Sequence, residues 1–566
     1  MSVAQPLQED VQATFCAALV DQWAKLGVRN AFVSPGSRST PMALALVGNA
    51  EFSVEIVHDE RSAAFMALGS GLSTGVPAVV LCTSGTAATH FHAAVVEADL
   101  SGVPLIVCTA DRPPELHGIR SAQTIDQQNL YGTTVRRFVD AGVPEWSGRG
   151  QWRQMAADVF GAAVGFERGP VHINLPFREP LVGASRLDDV PSDVETVRDH
   201  GAGCVDQIDE IAGLCSATRG VVVAGEGASA DKHVAALAEE LKWPLIADSR
   251  SGLQHVESAI CHADSILRGP AVAESLHPDV VLQFGEGPAS KILNQFLHDG
   301  KTTVVQVSDR LENRDPYRDV SLQVNAEIGA IAKQLRKKAT GAGNAQYVDR
   351  WKVAESAARL AIYGMTTDEL SEPAVACTVA GIARKGQLIV ASSSMPVRDL
   401  EWYARIPRGV RVIANRGANG IDGVLSTAIG AATSTDKTVY VLIGDIALLH
   451  DSSALTALAD RNVNMRIVVT NNDGGAIFSF LSQHQLLERE RYEQLFGTPH
   501  GTDLVKLCKA HNLKTVEADS LGKLKRALGG RGVKVVIVRT DRDKNIADHA
   551  AINAAVASAV SSALSR

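Results

Sequence analysis

The chain has 566 residues, 45% of them apolar and 21% charged, with a formal net charge of −8 at pH 7. That length exceeds what one hydrophobic core supports and sets an expectation of three or four domains of ~150 residues each. The acidic balance and the absence of a dense Lys/Arg run exclude a nucleic-acid binder, and no apolar run reaches membrane-spanning length. The N-terminal MSVAQPLQED does not read as a signal peptide. Eight scattered cysteines without a Cys-x-x-Cys pair read as buried free thiols of a cytoplasmic protein rather than a zinc site.

In chain order, Val11, Phe15, Leu19, Trp23 and Leu26 recur near helical period, and Gly27 can end that helix. Residues 31–33 form a short strand that runs into Ser34-Pro35-Gly36-Ser37-Arg38-Ser39. This turn holds hydroxyls and a cation but lacks the Gly-Lys-Ser/Thr of a P-loop. A strand over 52–57 ends near Glu60, one over 78–82 runs into Thr83-Ser84-Gly85, and one over 105–108 runs into Ala110-Asp111-Arg112. Residues 171–175 add another strand. The strands alternate with helices and are apolar on both faces, as in a covered parallel sheet. Residues 1–185 therefore read as a first α/β domain, and polar, acidic 186–205 as a linker.

Residues 206–340 read as a second α/β domain. Its strands 220–224 and 280–284 each end in Gly-Glu-Gly, with Ala230 and Ser290 where a dinucleotide-binding Gly-x-Gly-x-x-Gly needs its third glycine. Tight strand-to-helix turns are the preferred reading, and Lys291 is a candidate anion contact. Residues 341–355 read as a second linker, and 356–566 as a third α/β domain that repeats the plan of the first. There, strand 388–390 ends at Ser392-Ser393-Ser394 with Arg398 beyond, and strand 410–413 ends at Asn415-Arg416-Gly417. Strand 439–443 ends at Gly444-Asp445 and strand 467–470 at Asn471-Asn472-Asp473-Gly474. Strand 533–538 and an Ala-rich helix over 546–564 follow.

Arg38, Glu60, Arg112, Arg398, Arg416 and Asp445 all fall at or just beyond the C-terminal ends of predicted strands. Open α/β sheets bind ligands at that edge, so the clustering points to an active site fed by anionic ligands. Between Gly444 and Phe478 the pattern is strand, helix, strand, with Asp451 expected to cap a helix carrying Leu455 and Leu458 on one face. An Asp carboxylate and an Asn amide oxygen on neighbouring strand ends can share an octahedral Mg²⁺ with a diphosphate. Pattern alone leaves an equal alternative, a capping Asp and a turn-forming Asn-Asn-Asp-Gly.

Gly444-Asp445-Ile446, then the 24 residues 447–470, then Asn471-Asn472, resembles the diphosphate–metal signature of thiamine-diphosphate enzymes, departing from it at Ile446, where the signature has Gly. Together with Glu60, the chain resembles the decarboxylase-type superfamily, ordered pyrimidine-binding, central and diphosphate-binding domain. The segments 34–41 (SPGSRSTP), 110–116 (ADRPPEL), 415–423 (NRGANGIDG) and 472–478 (NDGGAIF) are similar to the menaquinone-pathway SEPHCHC synthase family, which also lacks the third glycine. The resemblance implies three doubly wound parallel-sheet α/β domains. It implies thiamine diphosphate and Mg²⁺ as cofactors, with Mn²⁺ tolerated, and Asp445, Asn472 and the Gly474 carbonyl as metal ligands. Glu60 would hydrogen-bond the aminopyrimidine and promote its imino tautomer, and Ile421 would bend the cofactor. Ser84, Ser394, Gly444, Ile477 and Phe478 would complete the cofactor pocket. Arg38, Arg112, Lys291, Arg398 and Arg416 would meet substrate carboxylates, with hydrogen bonds from Ser37, Gln123 and Ser394. Arg398 and Arg416 would join Glu60 in catalysis, and Ile477, Phe478 and Leu481 would wall out water.

The substrates so implied are 2-oxoglutarate and isochorismate. The first would be decarboxylated and its succinyl carbanion equivalent added to the second. The resemblance also implies a homodimer with the active site at the subunit interface, paired into a tetramer. Two alternatives stay open. One is another thiamine-diphosphate 2-oxoacid decarboxylase or carboligase, such as an acetohydroxyacid synthase. The other is a nucleotide-binding regulatory protein resting on the Gly-Glu-Gly turns.

Overall fold

A computed structural model describes residues 6–192, 194, 207–228, 232–310 and 315–566. Their strands form three six-stranded, all-parallel sheets, the expected fold class. The first holds β1 (Asn30–Val33), β2 (Ser53–Ile56), β3 (Ala78–Cys82), β4 (Leu105–Asp111), β5 (Arg137–Asp140) and β6 (Pro170–Pro176), in spatial order β2-β1-β3-β4-β6-β5. The second holds β7 (Gly220–Ala224), β8 (Leu245–Ala247), β9 (Ala259–Ile260), β10 (Val280–Phe284), β11 (Thr303–Ser308) and β12 (Val320–Asn325), ordered β12-β11-β10-β7-β8-β9. The third holds β13 (Leu388–Ala391), β14 (Arg411–Ile413), β15 (Val439–Gly444), β16 (Met465–Asn471), β17 (Thr515–Glu517) and β18 (Val533–Arg539), ordered β14-β13-β15-β16-β18-β17. The first and third sheets share one topology. The second has the order of dinucleotide-binding folds, with its switch point between β7 and β10.

The helices that matter for the site are α1 (Gln8–Lys25), α2 (Glu60–Thr74), α3 (Lys291–Leu297), α4 (Ala345–Thr366), α5 (Glu372–Ile382), α6 (Met395–Tyr403), α7 (Val424–Thr433), α8 (Asp445–His450) and α9 (Arg542–Leu564). Both faces of each sheet are covered, which is why the central strands are largely apolar. On β3, Val79 and Leu81 enter the core that contains Phe15, Leu19 and Trp23 of α1. Val80 and Cys82 enter a second core that joins Phe65 and Leu68 of α2 to Leu425 and Ile429 of α7. That shared core docks the first sheet's layer onto the third's. A Cβ on Gly69 would lie 1.9 Å from the Thr427 carbonyl oxygen, and one on Gly430 would lie 1.8 Å from that of Met66. The helices therefore cross at backbone distance.

The structure departs from the sequence reading at several points. Residues 345–355, read as linker, belong to α4: Asn344 caps it through Gln346 N–H, and Tyr347, Trp351, Ala354, Ala358 and Ile362 form its buried stripe against Val556 and Val560 of α9. Polar residues between the anchors hid that period. Most of the expected linker 186–205 lies outside the described residues; 187–189 form a short 3₁₀ turn. Asp451 does not cap a following helix. α8 starts at Asp445 and ends at His450, and only 3₁₀ turns over Ser452–Leu455 and Leu458–Asp460 lead to β16. The fully buried Asp451 carboxylate instead accepts from Ser426 N–H (2.7 Å) and Ser426 Oγ (2.9 Å), capping α7 from the side.

At the switch point of the second sheet the two Gly-Glu-Gly turns close on each other. Glu286 N–H donates to the Glu226 carbonyl at 2.9 Å, and a Cβ on Gly225 would lie 1.7 Å from the Glu286 carbonyl oxygen. The glycines serve this mutual approach, in keeping with the tight-turn reading. The seven described cysteines are free, and six of them are buried. No helix among the described residues is long and apolar enough to cross a membrane.

Candidate active site

β15 passes directly into α8, which puts Asp445 in the first helical turn at the C-terminal edge of the third sheet. Asp445 is buried. Its Oδ2 accepts from the backbone N–H groups of Asn472 and Gly474, both at 3.1 Å, and its Oδ1 accepts from Ile446 N–H at 2.7 Å. His500 Nε2 stands 3.4 Å from Oδ2. Burial pushes the Asp445 carboxyl above the usual carboxylate range, against the pull of these N–H groups and His500. Asn472, at the end of β16, donates Nδ2–H to Glu372 Oε1 at 2.8 Å, while its Oδ1 is buried without a partner. Gly474 has φ +146°, and a Cβ there would meet the Gly497 carbonyl at 1.9 Å. An orphaned buried oxygen costs about 1–3 kcal/mol. A carboxylate, that oxygen and a glycine turn on adjacent strand ends fit a divalent cation carrying a diphosphate.

A group of cations lies next to this edge. Arg398 on α6 is half-buried, and one of its NH groups donates to the Ser394 carbonyl at 2.6 Å. Ser394, at the N-cap of α6, is held at φ +74°, sparsely populated for a non-glycine residue. Arg416, after β14, is half-buried and has no hydrogen bond or ion pair among the described residues. Burial, with Arg250 and Arg398 nearby, brings its pKa down to about 10. Its loop is pinned from the first sheet's layer: the buried Glu97 carboxylate accepts from Gly417 N–H (2.8 Å) and Ala418 N–H (2.7 Å). The central domain frames the other side. Buried Arg250 donates to Glu226 (2.7 Å), Asp248 (3.0 Å) and the Gly287 carbonyl (3.1 Å). Glu401 of α6 accepts from Ala289 N–H (2.9 Å) and Ser290 N–H (2.7 Å). Lys291 follows as the exposed first residue of α3.

A third group sits at the C-terminal edge of the first sheet. Arg38 is buried and donates to the Phe177 carbonyl and Glu179 Oε1, both at 2.9 Å; burial, then Arg112, lowers its pKa. Arg112 donates to the Ala122 carbonyl at 3.3 Å and reaches Gln123 Oε1 at 3.5 Å. Gln123 is exposed, with its backbone against Gly85. Ser37 is exposed, its carbonyl taken by Thr40. Ser84 Oγ is buried without a partner. Glu60 opens α2 behind an Asp59 N-cap; it is half-buried and makes no side-chain hydrogen bond among the described residues. It lies near Cys82, whose thiol is pushed up first by burial and then by this carboxylate.

Ile421 is half-buried against the core shared by α2 and α7. Ile477 is half-buried, Phe478 packs on Phe496 with ring centroids 5.5 Å apart, and Phe478 and Leu481 are exposed. The candidates thus fall into three clusters. No hydrogen bond or ion pair among the described residues joins Glu60, Arg38 or Arg112 to Asp445 or Asn472. The sequence reading did not single out Arg250, Glu372, Glu401 or His500. Arg250 was findable, since it lies just past β8, a three-residue strand that went unrecognised.

Three family models match the chain: the N-terminal TPP binding domain of thiamine pyrophosphate enzymes over residues 13–130, their middle domain over 206–390, and their C-terminal TPP binding domain over 397–538. Among curated relatives, a Chloroflexus aurantiacus protein is 37% identical, covering 97% of each chain. One from Thermobifida fusca is 38% identical over 96% of this chain and 98% of its own, and one from Myxococcus xanthus 36% over 97% and 98%. All three carry the name 2-succinyl-5-enolpyruvyl-6-hydroxy-3-cyclohexene-1-carboxylate synthase. With thiamine-pyrophosphate domains along its length and this kinship over nearly its whole extent, the chain belongs to the thiamine-diphosphate-dependent enzymes and, within them, to the 2-succinyl-5-enolpyruvyl-6-hydroxy-3-cyclohexene-1-carboxylate synthase family.

Proposed function

We propose that the protein decarboxylates 2-oxoglutarate and adds the remaining succinyl unit to isochorismate, a step of menaquinone biosynthesis. The observation that carries this is a pair of half-buried guanidiniums, Arg398 and Arg416, neither bonded to a carboxylate among the described residues, beside the Asp445–Asn472 edge with its orphaned oxygen. Thiamine diphosphate supplies, when bound, a nucleophilic carbon and an electron sink for loss of carbon dioxide and carbon–carbon bond formation. Asp445, Asn472 Oδ1 and the Gly474 carbonyl would hold Mg²⁺, or Mn²⁺, against its diphosphate. Glu60 would hold a proton at the pyrimidine ring, and Ile421 would pack against the cofactor. Gly444, Ser84 and Ser394 would offer it backbone and hydroxyl groups.

Both substrates carry two carboxylates, and guanidinium forks bind carboxylates in bidentate fashion. Arg38, Arg112, Arg398 and Arg416 supply the forks, with Lys291, Ser37, Gln123 and Ser394 beside them. Ile477, Phe478 and Leu481 exclude water from the reacting carbon. No hydrogen bond or ion pair among the described residues joins Glu60 to Asp445, and we assign the working unit to a homodimer in which Glu60 of one subunit serves Asp445 of the other, with dimers paired into tetramers. Free thiols suit a reducing cytoplasm.

The test is to incubate the protein with thiamine diphosphate, Mg²⁺, 2-oxoglutarate and isochorismate and to follow the succinylated cyclohexene product by mass. Product that depends on both substrates and on the cofactor is expected. Carbon dioxide from pyruvate, with no product from the proposed pair, would instead favour an acetohydroxyacid-synthase type of reaction.

A further inference from the structure

Two rotations decide whether Asn472 can serve as a metal ligand. Its backbone is fixed by Asp445, which accepts its N–H at 3.1 Å. Its side chain is fixed from the opposite side by a residue a hundred positions earlier. Glu372 is the first residue of α5, set there by the Ser371 cap on Ala374 N–H and by Pro373 in the first turn. Its carboxyl is buried, at 3% exposure, and Oε1 receives both Asn472 Nδ2–H and Thr540 Oγ–H, each at 2.8 Å. Thr540 is itself tied to the same strand end, donating its N–H to the Asn471 carbonyl at 2.9 Å.

The two ends of a carboxamide are nearly equal in shape and opposite in hydrogen-bonding sense. Flipped, Asn472 would turn its NH₂ toward the cation and set its oxygen against an oxygen of Glu372. Two donors converge on Glu372 Oε1, so that atom is an acceptor, and it selects the flip in which Nδ2 faces it. The same choice leaves Oδ1 buried and unpartnered on the other side.

We propose that Glu372, anchored by Thr540, is a positioning residue that orients the Asn472 carboxamide so that its oxygen is offered to the divalent cation. This rests on the metal reading of Asp445 and Asn472 given above. Glu372 acts through Asn472, as outer ligand-orienting groups do in metal sites.

The test is a Mg²⁺ titration of thiamine-diphosphate binding by calorimetry, with Mn²⁺ binding followed by electron paramagnetic resonance; neither measures turnover. Glu372→Met removes the acceptor at similar volume and should raise the Mg²⁺ concentration for half-maximal cofactor binding by about 10–100-fold. Saturating Mg²⁺ should restore cofactor binding. Glu372→Gln keeps an Oε1 acceptor and should titrate close to the unsubstituted protein. A folded Glu372→Met protein with unchanged Mg²⁺ and Mn²⁺ titrations overturns the proposal, as does a Glu372→Gln protein impaired as much as Glu372→Met. Should Glu372→Met not fold, Thr540→Val removes one of the two anchors. A severalfold shift in the same direction supports the proposal, and no shift overturns it. Asp445→Ala separates the two levels: if it leaves the Mg²⁺ titration untouched, the metal reading itself fails, whereas a shift with Asp445→Ala and none with the Glu372 variants refutes the orienting role alone.

Discussion

Arg416 carries a positive charge into a half-buried position and finds no hydrogen-bond acceptor among the described residues. Burial and the neighbouring guanidiniums of Arg250 and Arg398 both work against its proton. In the ligand-free protein this residue opposes folding, because burial and the two guanidiniums outweigh the pull of the Glu401 and Asp248 carboxylates. Arg416→Met should therefore stabilise the ligand-free protein against heat unfolding, by an amount on the order of 1 kcal/mol. The same change should lower kcat/KM by about 30-fold or more, since removing one partner of a desolvated charge pair costs about 2–5 kcal/mol. Calorimetric melting and steady-state kinetics on one preparation check both signs; a destabilised, fully active variant would mean that Arg416 is a structural cation. Arg398, Arg416, Asp445 and Asn472 drew attention in the sequence because strand-end polarity is a local signal. Glu372 and Glu401 gave none. A Glu opening a helix in Ser-Glu-Pro reads as ordinary first-turn chemistry, and only tertiary packing shows that its oxygen is used by Asn472. Asp451 is intermediate: its type announced a cap, but nothing local told which helix it would cap.

At the scale of elements, the crossing of α2 and α7 fixes how the first and third layers meet. Gly430 faces the Met66 carbonyl, which belongs to a helix backbone and cannot rotate aside. Gly430→Ala should force the helices apart and destabilise the protein by about 2–4 kcal/mol, at or above the usual range for overpacking. Gly381→Ala is the control. Gly381 lies in α5, is exposed, and would place its Cβ in open space, so alanine there should be neutral or stabilising by up to about 1 kcal/mol. Denaturation of the two variants side by side decides; a Gly430→Ala protein as stable as Gly381→Ala would show that the crossing has slack. Buried parallel strands were readable because β3 is apolar throughout and β10 departs from that only at Gln283. β5 was missed because Arg137-Phe138-Val139-Asp140 is an edge strand with both ends exposed and only its middle half-buried. The strand order of the second sheet was also out of reach, since permuted sheets are written in the same strand–turn–helix text.

At the scale of the whole molecule, the first and third layers share one strand order and dock through helices. Beside Gly474, the segment from Phe478 to Leu495 exposes Phe478, Leu481, Leu486 and Leu495, an apolar surface of the kind that marks an association site. If a second subunit covers it and brings in its own first layer, each active site takes Glu60 from one chain and Asp445 from the other. Complementation tests this directly. Glu60→Gln alone should lower turnover by about 10²–10⁴-fold, the range for losing a positioned acid–base group, and Asp445→Ala alone should fail through lost Mg²⁺-dependent cofactor binding. Co-expressed with different tags, the two chains would form mixed dimers. One site of each mixed dimer holds both substitutions, and the other holds neither. Half of randomly assorted dimers are mixed and each has one intact site of two, so activity should return to about a quarter of the unsubstituted level. Tandem purification on both tags should enrich it to about half by the same count. If Glu60 and Asp445 instead served one site within one chain, every site in the mixture would keep a defect and the activity would stay at the level of the single variants.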